Sequence, residues 1–332
     1  MNSKSSPHIG KDISTRAAGV PVGVVGLGLM GTSIATCLLA AGHPVFGVEV
    51  DRSKRVTARR RVLGLLKGMK NEGRLQDEPR QTLARLNVSR EYKALAETRV
   101  VVESIIEDLK AKRRVLREIE RVIPRTTILG SNTSAIPISL LQRSLRRPGR
   151  MLGIHWAEPA HTTRFLEIIC GQQTDRRCAE RVLALARRWG KEPALLRRDI
   201  RGFIANRCMY ALLREAFHLV ESGYASIQDV DRSVRNDLGY WITFAGPFRF
   251  MDLTGIPAYR TVMKDLFPEL SCAKTAPRLI DRIVKSGARG VANAKGFYRY
   301  TPRQARHWER AFLKFSYHIR GLAERYPENL AS

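Results

Sequence analysis

The sequence predicts an α/β fold in which a doubly wound parallel sheet is followed by a second, all-α domain. Three observations support this prediction. Short apolar runs rich in β-branched residues alternate with amphipathic stretches in the first part of the chain, which is typical of a parallel sheet covered by helices on both faces. A glycine-rich turn follows the first apolar run. Beyond Gly202 the helical periodicity continues, but strand-like runs become rare.

The elements follow one another in a regular order. Gly42 ends the first helix and Pro44 begins the second apolar run, which completes a strand–helix–strand unit. The remaining strands are assigned to short apolar runs and the helices to apolar residues at three- and four-residue spacing. Strands are thus predicted at residues 20–25, 44–48, 99–103, 127–130, 151–154 and 165–169, and helices at 32–41, 52–73, 81–85, 109–122 and 176–189. The second half is predicted to contain helices at 203–221, 227–234, 259–267 and 276–284.

Length and composition fit two folded domains, predicted at residues 20–200 and 201–330. A chain of 332 residues, 44% of them hydrophobic, is too long for one ordinary core and apolar enough for two. No run approaches about 18 uncharged apolar residues, so no membrane span is expected. Residues 1–19 lack the apolar run of a signal peptide and are predicted to be a disordered extension of a cytoplasmic protein. The five cysteines form no CxxC pair, so neither a zinc site nor any other metal site is expected.

The charge of the chain is strongly positive, with 58 Lys and Arg against 31 Asp and Glu and a net charge of +27. Such an excess is typical of nucleic-acid-binding proteins, but here it is spread along the chain and no nucleic-acid-binding motif accompanies it. Nucleic acid is therefore not the favoured partner. One local excess, eight basic residues and no acid from Arg52 to Lys70, is either a solvated helix face or a surface that attracts a polyanionic ligand such as a nucleotide-bearing thioester.

The glycine-rich turn has the spacing G-x-G-x-x-G, formed by Gly26, Gly28 and Gly31 between a predicted strand and a predicted helix. The first glycine permits a tight turn, the second lets a pyrophosphate approach the backbone, and the third lets helix and strand pack closely. In this context the motif predicts a Rossmann-type NAD-binding domain, whose cofactor-binding set also includes Leu29 and Met30.

The second predicted strand closes at an acidic residue, Glu49. An acid at this position accepts hydrogen bonds from the adenosine ribose hydroxyls and repels a 2′-phosphate, which favours NAD over NADP. Arg52, close behind it, favours NADP.

Candidate catalytic residues follow three later strands. Residues 131–134, with the sequence Ser-Asn-Thr-Ser, come after one strand, His155 ends another, and Glu167 lies in the strand after that. Removal of a hydride from a carbinol carbon requires a base for the hydroxyl proton, and a histidine takes up and returns protons near neutrality. A carboxylate on its far ring nitrogen would orient the ring, and Glu167 is the candidate. A purely structural role for His155 is the alternative interpretation.

Several segments in the same order resemble the 3-hydroxyacyl-CoA dehydrogenase family, over about residues 20 to 300. They are GLGLMGTSIA at 26–35, VVESIIEDLKAK at 101–112, SNTSAI at 131–136, GIHWAEP at 153–159, FLEII at 165–169, RGFIANR at 201–207, GPFRFMD at 246–252 and GFYRY at 296–300. The resemblance implies that His155 is the catalytic base and Glu167 its partner acid. It further implies that Ser134 and Asn206 bind the substrate oxygens, and that Glu107 lies near the nicotinamide.

The resemblance also implies a substrate and an assembly. It places Lys67 and Lys70 where the family contacts the CoA nucleotide, and it implies a homodimer formed through the helical domain and a role in fatty acid metabolism. The predicted function is then NAD-dependent interconversion of a 3-hydroxyacyl-CoA and its 3-oxoacyl-CoA. For Glu107 and Lys112, an exposed ion pair at a helix start is an equally open interpretation.

Three departures from the family pattern concern the substrate. Glu158 replaces the usual asparagine after the base, Arg164 stands where an apolar residue is usual, and residues 241–248 look closer to relatives that act on gulonate or carnitine. His161 is either a substrate contact or a surface loop residue. If ionised, Glu158 repels an anionic substrate, pairs with an arginine or binds a cationic group, so it is a candidate substrate-binding residue. The alternatives are the same chemistry on a small non-CoA hydroxy acid or cation, and a non-catalytic nucleotide-binding protein.

Overall fold

The structure is a computed structural model that describes residues 19–326. The predicted extension at residues 1–19 therefore lies outside the described residues except for Gly19, as does the end of the second predicted domain. The strands are β1 Val22–Val25, β2 Val45–Val48, β3 Leu86–Ser89, β4 Val100–Glu103, β5 Ile128–Ser131, β6 Met151–Trp156, β7 Phe165–Cys170 and β8 Glu192–Leu196.

Helices cover this sheet and predominate in the described residues that follow it. They are α1 Leu29–Ala40, α2 Arg52–Asn71, α3 Pro79–Ala84, α4 Leu109–Val122, α5 Ile138–Gln142, α6 Arg176–Arg188, α7 Ala205–Glu221, α8 Ile227–Asn236, α9 Leu238–Ile242, α10 Pro247–Thr254, α11 Ile256–Leu266, α12 Arg278–Lys285 and α13 Pro302–Arg325.

The eight strands form one sheet in the order β3-β2-β1-β4-β5-β6-β7-β8. Strands β1 to β6 are parallel, which confirms the predicted doubly wound sheet. One edge of the sheet is mixed, because β7 runs antiparallel to β6 and β8 runs parallel to β7. The physical reason is the connection: β6 and β7 are joined by a short loop without a helix, and a parallel pair needs a crossover of a dozen or more residues.

Apolar side chains fill a core on each face of the sheet. Along β4, Val100 and Val102 belong to the core under α1, α2 and α6, while Val101 between them belongs to the core under α4 and α5. Successive side chains of a strand point to opposite faces, so this alternation places helices on both sides of the sheet. The arrangement aligns the carboxyl ends of β1, β4, β5 and β6 at one edge, where ligands of such sheets bind.

The second half of the described chain is helical, as predicted. Apart from two isolated bridges that involve Lys295, no strand occurs in the described part beyond β8. Three of its helices, α9, α10 and α13, were not predicted from the sequence. Helices α7 and α9 to α12 bury no residue within the single chain. Among residues 19–326, no helix is long and apolar enough to cross a membrane.

Candidate active site

The glycine-rich turn after β1 has the geometry of a dinucleotide cradle. Gly26 has a φ of 90°, and a Cβ there would lie 2.6 Å from the carbonyl oxygen of Ser104. A Cβ on Gly31 would collide with the Gly26 carbonyl, so helix and turn are in close contact. A Cβ on Gly28, in contrast, would meet no atom within 4 Å, so the backbone faces open space at this residue. A pyrophosphate could approach the chain there.

The amino end of α1 provides donors for that pyrophosphate. Gly28 is the N-cap residue and no side chain caps the helix, so its first N–H groups are left for a ligand. Leu29 and Met30 occupy the first turn, and Leu29 is exposed. These features fit NAD as the bound group.

Glu49, at the end of β2, binds the glycine-rich turn directly. Its Oε2 accepts a hydrogen bond of 2.8 Å from the N–H of Leu27, and its Oε1 accepts one of 2.9 Å from the backbone N–H of Asp51. Each carboxylate oxygen has capacity for a further hydrogen bond, so the ribose-binding role predicted for Glu49 is compatible with these contacts. Asp51 in turn caps α2 through the N–H groups of Ser53 and Lys54.

The structure brings His155 and Glu167 together at the end of β6. His155 Nδ1 lies 2.8 Å from Glu167 Oε2. The other carboxylate oxygen, Oε1, accepts hydrogen bonds of 3.0 Å from the N–H of Ile204 and 2.9 Å from that of Ala205, just before and at the start of α7. An ionised carboxylate only accepts, so the proton resides on Nδ1, and Nε2 is the ring atom left to exchange a proton with a substrate.

Two aromatic rings hold the imidazole of His155 in place. Phe165 meets it edge-on and Phe203 meets it at a tilt, each at 5.5 Å between ring centroids. Phe203 is buried and has a φ of 53°, a left-handed conformation that is unfavourable for a bulky side chain. Neither residue was predicted from the sequence to belong to the site. Their signal was available: Phe165 is two residues from Glu167, and Phe203 follows Gly202 at the predicted domain boundary.

Ser134 and Asn206 meet at the junction of the two halves of the chain. The Asn206 Nδ2 donates a hydrogen bond of 2.9 Å to the carbonyl oxygen of Ser134. The Ser134 side chain is exposed, and no described residue forms a hydrogen bond with its hydroxyl. The structure therefore places both candidate substrate contacts at one point, and Asn206 directly follows the Ile204 and Ala205 amides that hold Glu167.

A carboxylate network fixes the loop that carries Ser134. Glu107 Oε1 accepts hydrogen bonds from the Thr133 hydroxyl at 2.5 Å and from the N–H groups of Ser134 and Ala135 at 3.0 and 3.1 Å. Burial raises the pKa of the Glu107 carboxyl, but the Thr133 hydrogen bond and the charge of Lys112 outweigh it, so the net shift is downward. Glu107 thus lies beside the predicted substrate contact as a carboxylate.

Lys112 is fully buried, so the interpretation of Glu107 and Lys112 as an exposed helix-start pair is wrong. Its ammonium lies 2.8 Å from Glu103 Oε1 and 3.5 Å from Glu107 Oε2. Glu103, at the end of β4, also accepts a hydrogen bond of 2.5 Å from the Ser131 hydroxyl. A buried charge needs such compensation, and the pair joins the ends of β4 and β5 to α4.

The predicted CoA-binding lysines are not brought to the dyad by any hydrogen bond or ion pair among the described residues. The ammonium of Lys70 donates to the carbonyl of Gln76 at 2.8 Å and lies 3.1 Å from Glu78 Oε1, so it closes the turn between α2 and α3. Lys67 is exposed one turn earlier on α2. By the rise of an α-helix, Lys70 lies about 27 Å along the axis from Arg52 at the start of α2.

Two residues that depart from the family pattern, Glu158 and Arg164, and the nearby His161 occupy different environments. Glu158 is exposed as a residue, but its carboxyl is partly buried. This partial burial raises the pKa of the carboxyl, and the charge of Arg61 offsets part of that rise. Arg164 forms an ion pair with Glu192 on β8. His161 is buried with its Nδ1 2.9 Å from the Ser33 hydroxyl, so the interpretation as a surface loop residue is wrong; a contact with substrate stays a prediction.

No cluster of three or more His, Cys, Asp or Glu side chains that could hold a metal ion occurs within residues 19–326.

Comparison with protein families gives two matches that together span most of the chain. The NAD-binding domain of 3-hydroxyacyl-CoA dehydrogenase matches residues 21–200, and the C-terminal domain of the same family matches residues 202–300.

Two characterised relatives differ in substrate. The 5-formyl-3-hydroxy-2-methylpyridine 4-carboxylate 5-dehydrogenase of Mesorhizobium japonicum is 34% identical over 207 residues, which are 62% of this chain and 67% of the relative. The 3-hydroxybutyryl-CoA dehydrogenase of Mycobacterium tuberculosis is 29% identical over 282 residues, 84% of this chain and 98% of the relative.

Solved structures show the same two types of neighbour. The crystal structure of the pyridine carboxylate 5-dehydrogenase, described as an NAD+-dependent dismutase, has a TM-score of 0.86 at 28% identity and covers 92% of this chain and 99% of its own. That of M. tuberculosis FadB2 has a TM-score of 0.72 at 29% identity and covers 85% of this chain and 100% of its own.

Proposed function

The chain belongs to the 3-hydroxyacyl-CoA dehydrogenase family of NAD-dependent oxidoreductases, and on this basis we propose that His155 and Glu167 form its proton-transfer pair. The observation that carries the proposal is the 2.8 Å hydrogen bond between His155 Nδ1 and Glu167 Oε2. It leaves Nε2 as the proton acceptor, on the strand end adjacent to the one that carries the Ser131–Ser134 turn.

Each residue of the site has a defined task in this reaction. NAD, when bound, supplies the acceptor for the hydride of the carbinol carbon. The His155 Nε2 takes the hydroxyl proton, and Glu167 stabilises the imidazolium that forms. In the reverse direction the protonated ring returns that proton. Phe165 and Phe203 exclude water from the ring faces and hold its orientation. The Ser134 hydroxyl and the Asn206 amide hold the substrate oxygen.

For the substrate we propose a small compound without CoA, which carries a hydroxyl or a formyl group. The Mesorhizobium relative is named for a 5-formyl pyridine carboxylate, and its structure superposes with a TM-score of 0.86. An aldehyde can enter the same chemistry as its hydrate, whose carbon bears a hydroxyl group. In addition, the Lys70 ammonium is already engaged by Gln76 and Glu78, which removes one of the two charges predicted to bind CoA.

A second candidate substrate is a 3-hydroxyacyl-CoA thioester, as predicted from the sequence. The specific observation in its favour is the solvent face of α2, where Arg52, Arg59, Arg60 and Lys67 are exposed and no acid intervenes. Such a face attracts nucleotide phosphates. A role in fatty acid metabolism depends on this second candidate.

A substrate panel tests these proposals. NADH formation is measured with 3-hydroxybutyryl-CoA, free 3-hydroxybutyrate, gulonate, carnitine, and a pyridine carboxylate bearing a hydroxymethyl or formyl group, each with NAD+ and with NADP+. We expect turnover of a small compound at a kcat/KM at least tenfold above that of the thioester. A thioester preference that weakens with salt would instead support CoA binding by α2.

His155→Gln tests the role of the dyad in the same assay. The variant should lose on the order of 10²–10⁴-fold in kcat because the proton acceptor is gone. Its NADH affinity should stay within twofold, because the glycine-rich cradle is untouched. His307→Gln, on the exposed side of α13, is the matched control and should behave as wild type. Wild-type turnover in His155→Gln would refute the base assignment.

We propose a homodimer formed through the helical domain. In a single chain this domain leaves large aromatic side chains exposed, among them Tyr210 on α7, Tyr240 on α9 and Phe248 on α10, at 63%, 82% and 80%. Exposed apolar surface marks an interface where such side chains adjoin one another. Light scattering should give twice the chain mass of 37.5 kDa; a mass of one chain would refute the dimer. The cytoplasmic location expected from the sequence stays a prediction.

A further inference from the structure

The longest helix of the protein, α13, follows the part of the chain that the family's C-terminal domain matches. That match ends at residue 300, and α13 spans Pro302–Arg325. The helix starts at a capping box: the Thr301 side chain binds the N–H of Gln304, whose side chain in turn binds the N–H of Thr301. The helix thus has its own start signal and lies outside the matched domain.

One side of α13 is docked on the NAD-binding half of the molecule. Tyr317 is buried and belongs to the core under α1, α2 and α6, and Leu313, one turn earlier, packs against the same core. Arg320 and Glu324 continue this side at three- and four-residue spacing, so one stripe of the helix makes the contact. The docking therefore has both an apolar and a charged part.

The charged part reaches the loop that connects the two strands of the dyad. The Arg320 Nη1 donates a hydrogen bond of 3.2 Å to the carbonyl of Thr162, and Nη2 donates one of 3.2 Å to the carbonyl of Gly190. Its Nε lies 3.0 Å from Glu324 Oε1, while Glu324 Oε2 lies 2.6 Å from Arg74. One guanidinium thus joins the loop between β6 and β7 to the turn before β8.

The same loop is held from its inner side. Lys191 is buried, and its ammonium donates to the carbonyls of Ala160 and Thr163. It also lies 5.0 Å from the centre of the Trp156 ring. His161 contributes the hydrogen bond to Ser33 and an edge-on contact with Tyr317 at 6.4 Å. As a result, residues 159–162 are buried, and Glu158 is the exposed residue of this loop nearest to His155.

We infer that α13 is a positioning element of the active site, and that Arg320, acting through the Thr162 carbonyl, sets the placement of the Glu158 segment and thereby the affinity for substrate. The inference rests on the proposed function of His155. The loop continues directly from the strand that ends in His155-Trp156, and Glu158 follows the base by three positions in the chain. The dyad itself is held by other contacts, in the β6–β7 ladder and at Ile204 and Ala205.

This division of contacts predicts a specific kinetic signature. Arg320→Met keeps the length of the side chain but removes the bonds to Thr162 and Gly190. The KM for the substrate found in the panel should rise about tenfold, while kcat and the NADH affinity stay within twofold. Arg320→Lys, which can keep one carbonyl bond, should restore part of the affinity. Arg310→Met, an exposed arginine on the same helix, is the matched control and should leave all three quantities unchanged.

Hydrogen exchange of the intact protein supplies a readout that needs no substrate. Peptides that contain residues 157–163 should exchange faster in Arg320→Met than in Arg310→Met, while peptides of β1 and the glycine-rich turn should not change. Glu324→Gln, which loosens Arg320 without removing it, should give a smaller effect of the same kind.

The outcomes separate this inference from the proposed function. An unchanged KM in Arg320→Met would overturn the inference. A fall in kcat together with a fall in melting temperature would also overturn it, because that pattern marks a merely structural role. If the wild type turns over no compound of the panel, the proposed function fails. Amide hydrogen exchange of residues 157–163 at the wild-type rate in Arg320→Met would refute the role of Arg320 in positioning the loop, whether or not a substrate is found.

Discussion

His155 and Glu167 are direct cross-strand partners in the antiparallel β6–β7 ladder, and their side chains meet at 2.8 Å on one face of the sheet. Directly paired residues on neighbouring antiparallel strands have Cβ atoms about 5 Å apart, close enough for this hydrogen bond. The reversal of strand direction at the loop between β6 and β7 therefore assembles the pair.

Glu167→Gln should disrupt two sets of hydrogen bonds with one change of atom. The carboxylate accepts from His155 on one oxygen and from Ile204 and Ala205 on the other. A glutamine has one oxygen, so its NH2 group must face one of these donors. We expect kcat to fall on the order of 10²-fold, and the free energy of unfolding to fall by about 1–3 kcal/mol. Kinetics and urea unfolding measure both.

Glu180→Gln on α6, an exposed glutamate paired with Arg176, is the control for this change and should match wild type in both measurements. If Glu167→Gln kept full activity, the role of the carboxylate as orienting partner of His155 would be wrong.

Phe203 combines a buried ring against His155 with a left-handed backbone. Phe203→Ala should cost about 3–5 kcal/mol for the lost packing. Phe203→Gly loses the same ring but relieves the strained backbone, so it should be about 1 kcal/mol more stable than the alanine variant. Both should lose turnover, because the imidazole is no longer held. Urea unfolding of the two variants side by side makes the comparison; greater stability of the alanine variant would contradict the strain.

Lys112→Met should leave the Glu103 carboxylate buried without its cation. Glu103 and Lys112 are both fully buried, and the removal of one partner of such a pair costs about 3–5 kcal/mol. The double variant Lys112→Met, Glu103→Gln should recover most of this loss, since no fully buried charge is then left unpaired; the carboxylate of Glu107, the second partner of Lys112, is partly exposed. Urea unfolding tests this cycle. A loss in the single variant equal to that in the double variant would show that the charge of Glu103 is not the cause.

Acid should weaken the fold through His161. Burial lowers the pKa of His161 to about 4, with the charges of Lys191 and Arg320 as further causes, against an ordinary value of 6.5. The unfolded chain therefore binds more protons between these values. The contribution of neutral His161 to the free energy of unfolding is complete above about pH 6.5. It is lost as the pH falls towards 4, by up to about 3 kcal/mol.

The comparison of His161→Asn with wild type isolates this contribution. The variant cannot become charged, so its unfolding free energy should depend less on pH over that interval. A residual slope is expected from His43, whose pKa burial also lowers. The exposed His307→Gln should keep the full slope of the wild type. Equal slopes in His161→Asn and wild type would contradict the prediction.

Features that depend on short-range spacing were predicted well from the sequence. Helix α4 has the predicted bounds, because its apolar residues recur on one face. Strands β3 and β8 were missed because they are the two edges of the sheet and are only partly buried, so neither shows a continuous apolar run. Helix α13 was missed because much of its length is polar or exposed and buries only Ala305 and Tyr317.

The residue types of the site were predicted from the sequence alone. The glycines of the turn depend on local backbone geometry, and the histidine, glutamate, serine and asparagine appear in recognisable motifs. The pairing of His155 with Glu167 was expected as well, but the antiparallel step that brings it about was not. The tertiary structure alone decided that Lys112 is buried against Glu103 and that Lys70 is engaged at the α2–α3 turn. It also buried His161 under α13. Such contacts join residues far apart in the chain, and their geometry follows from strand direction and helix docking, to which no local pattern of residues corresponds.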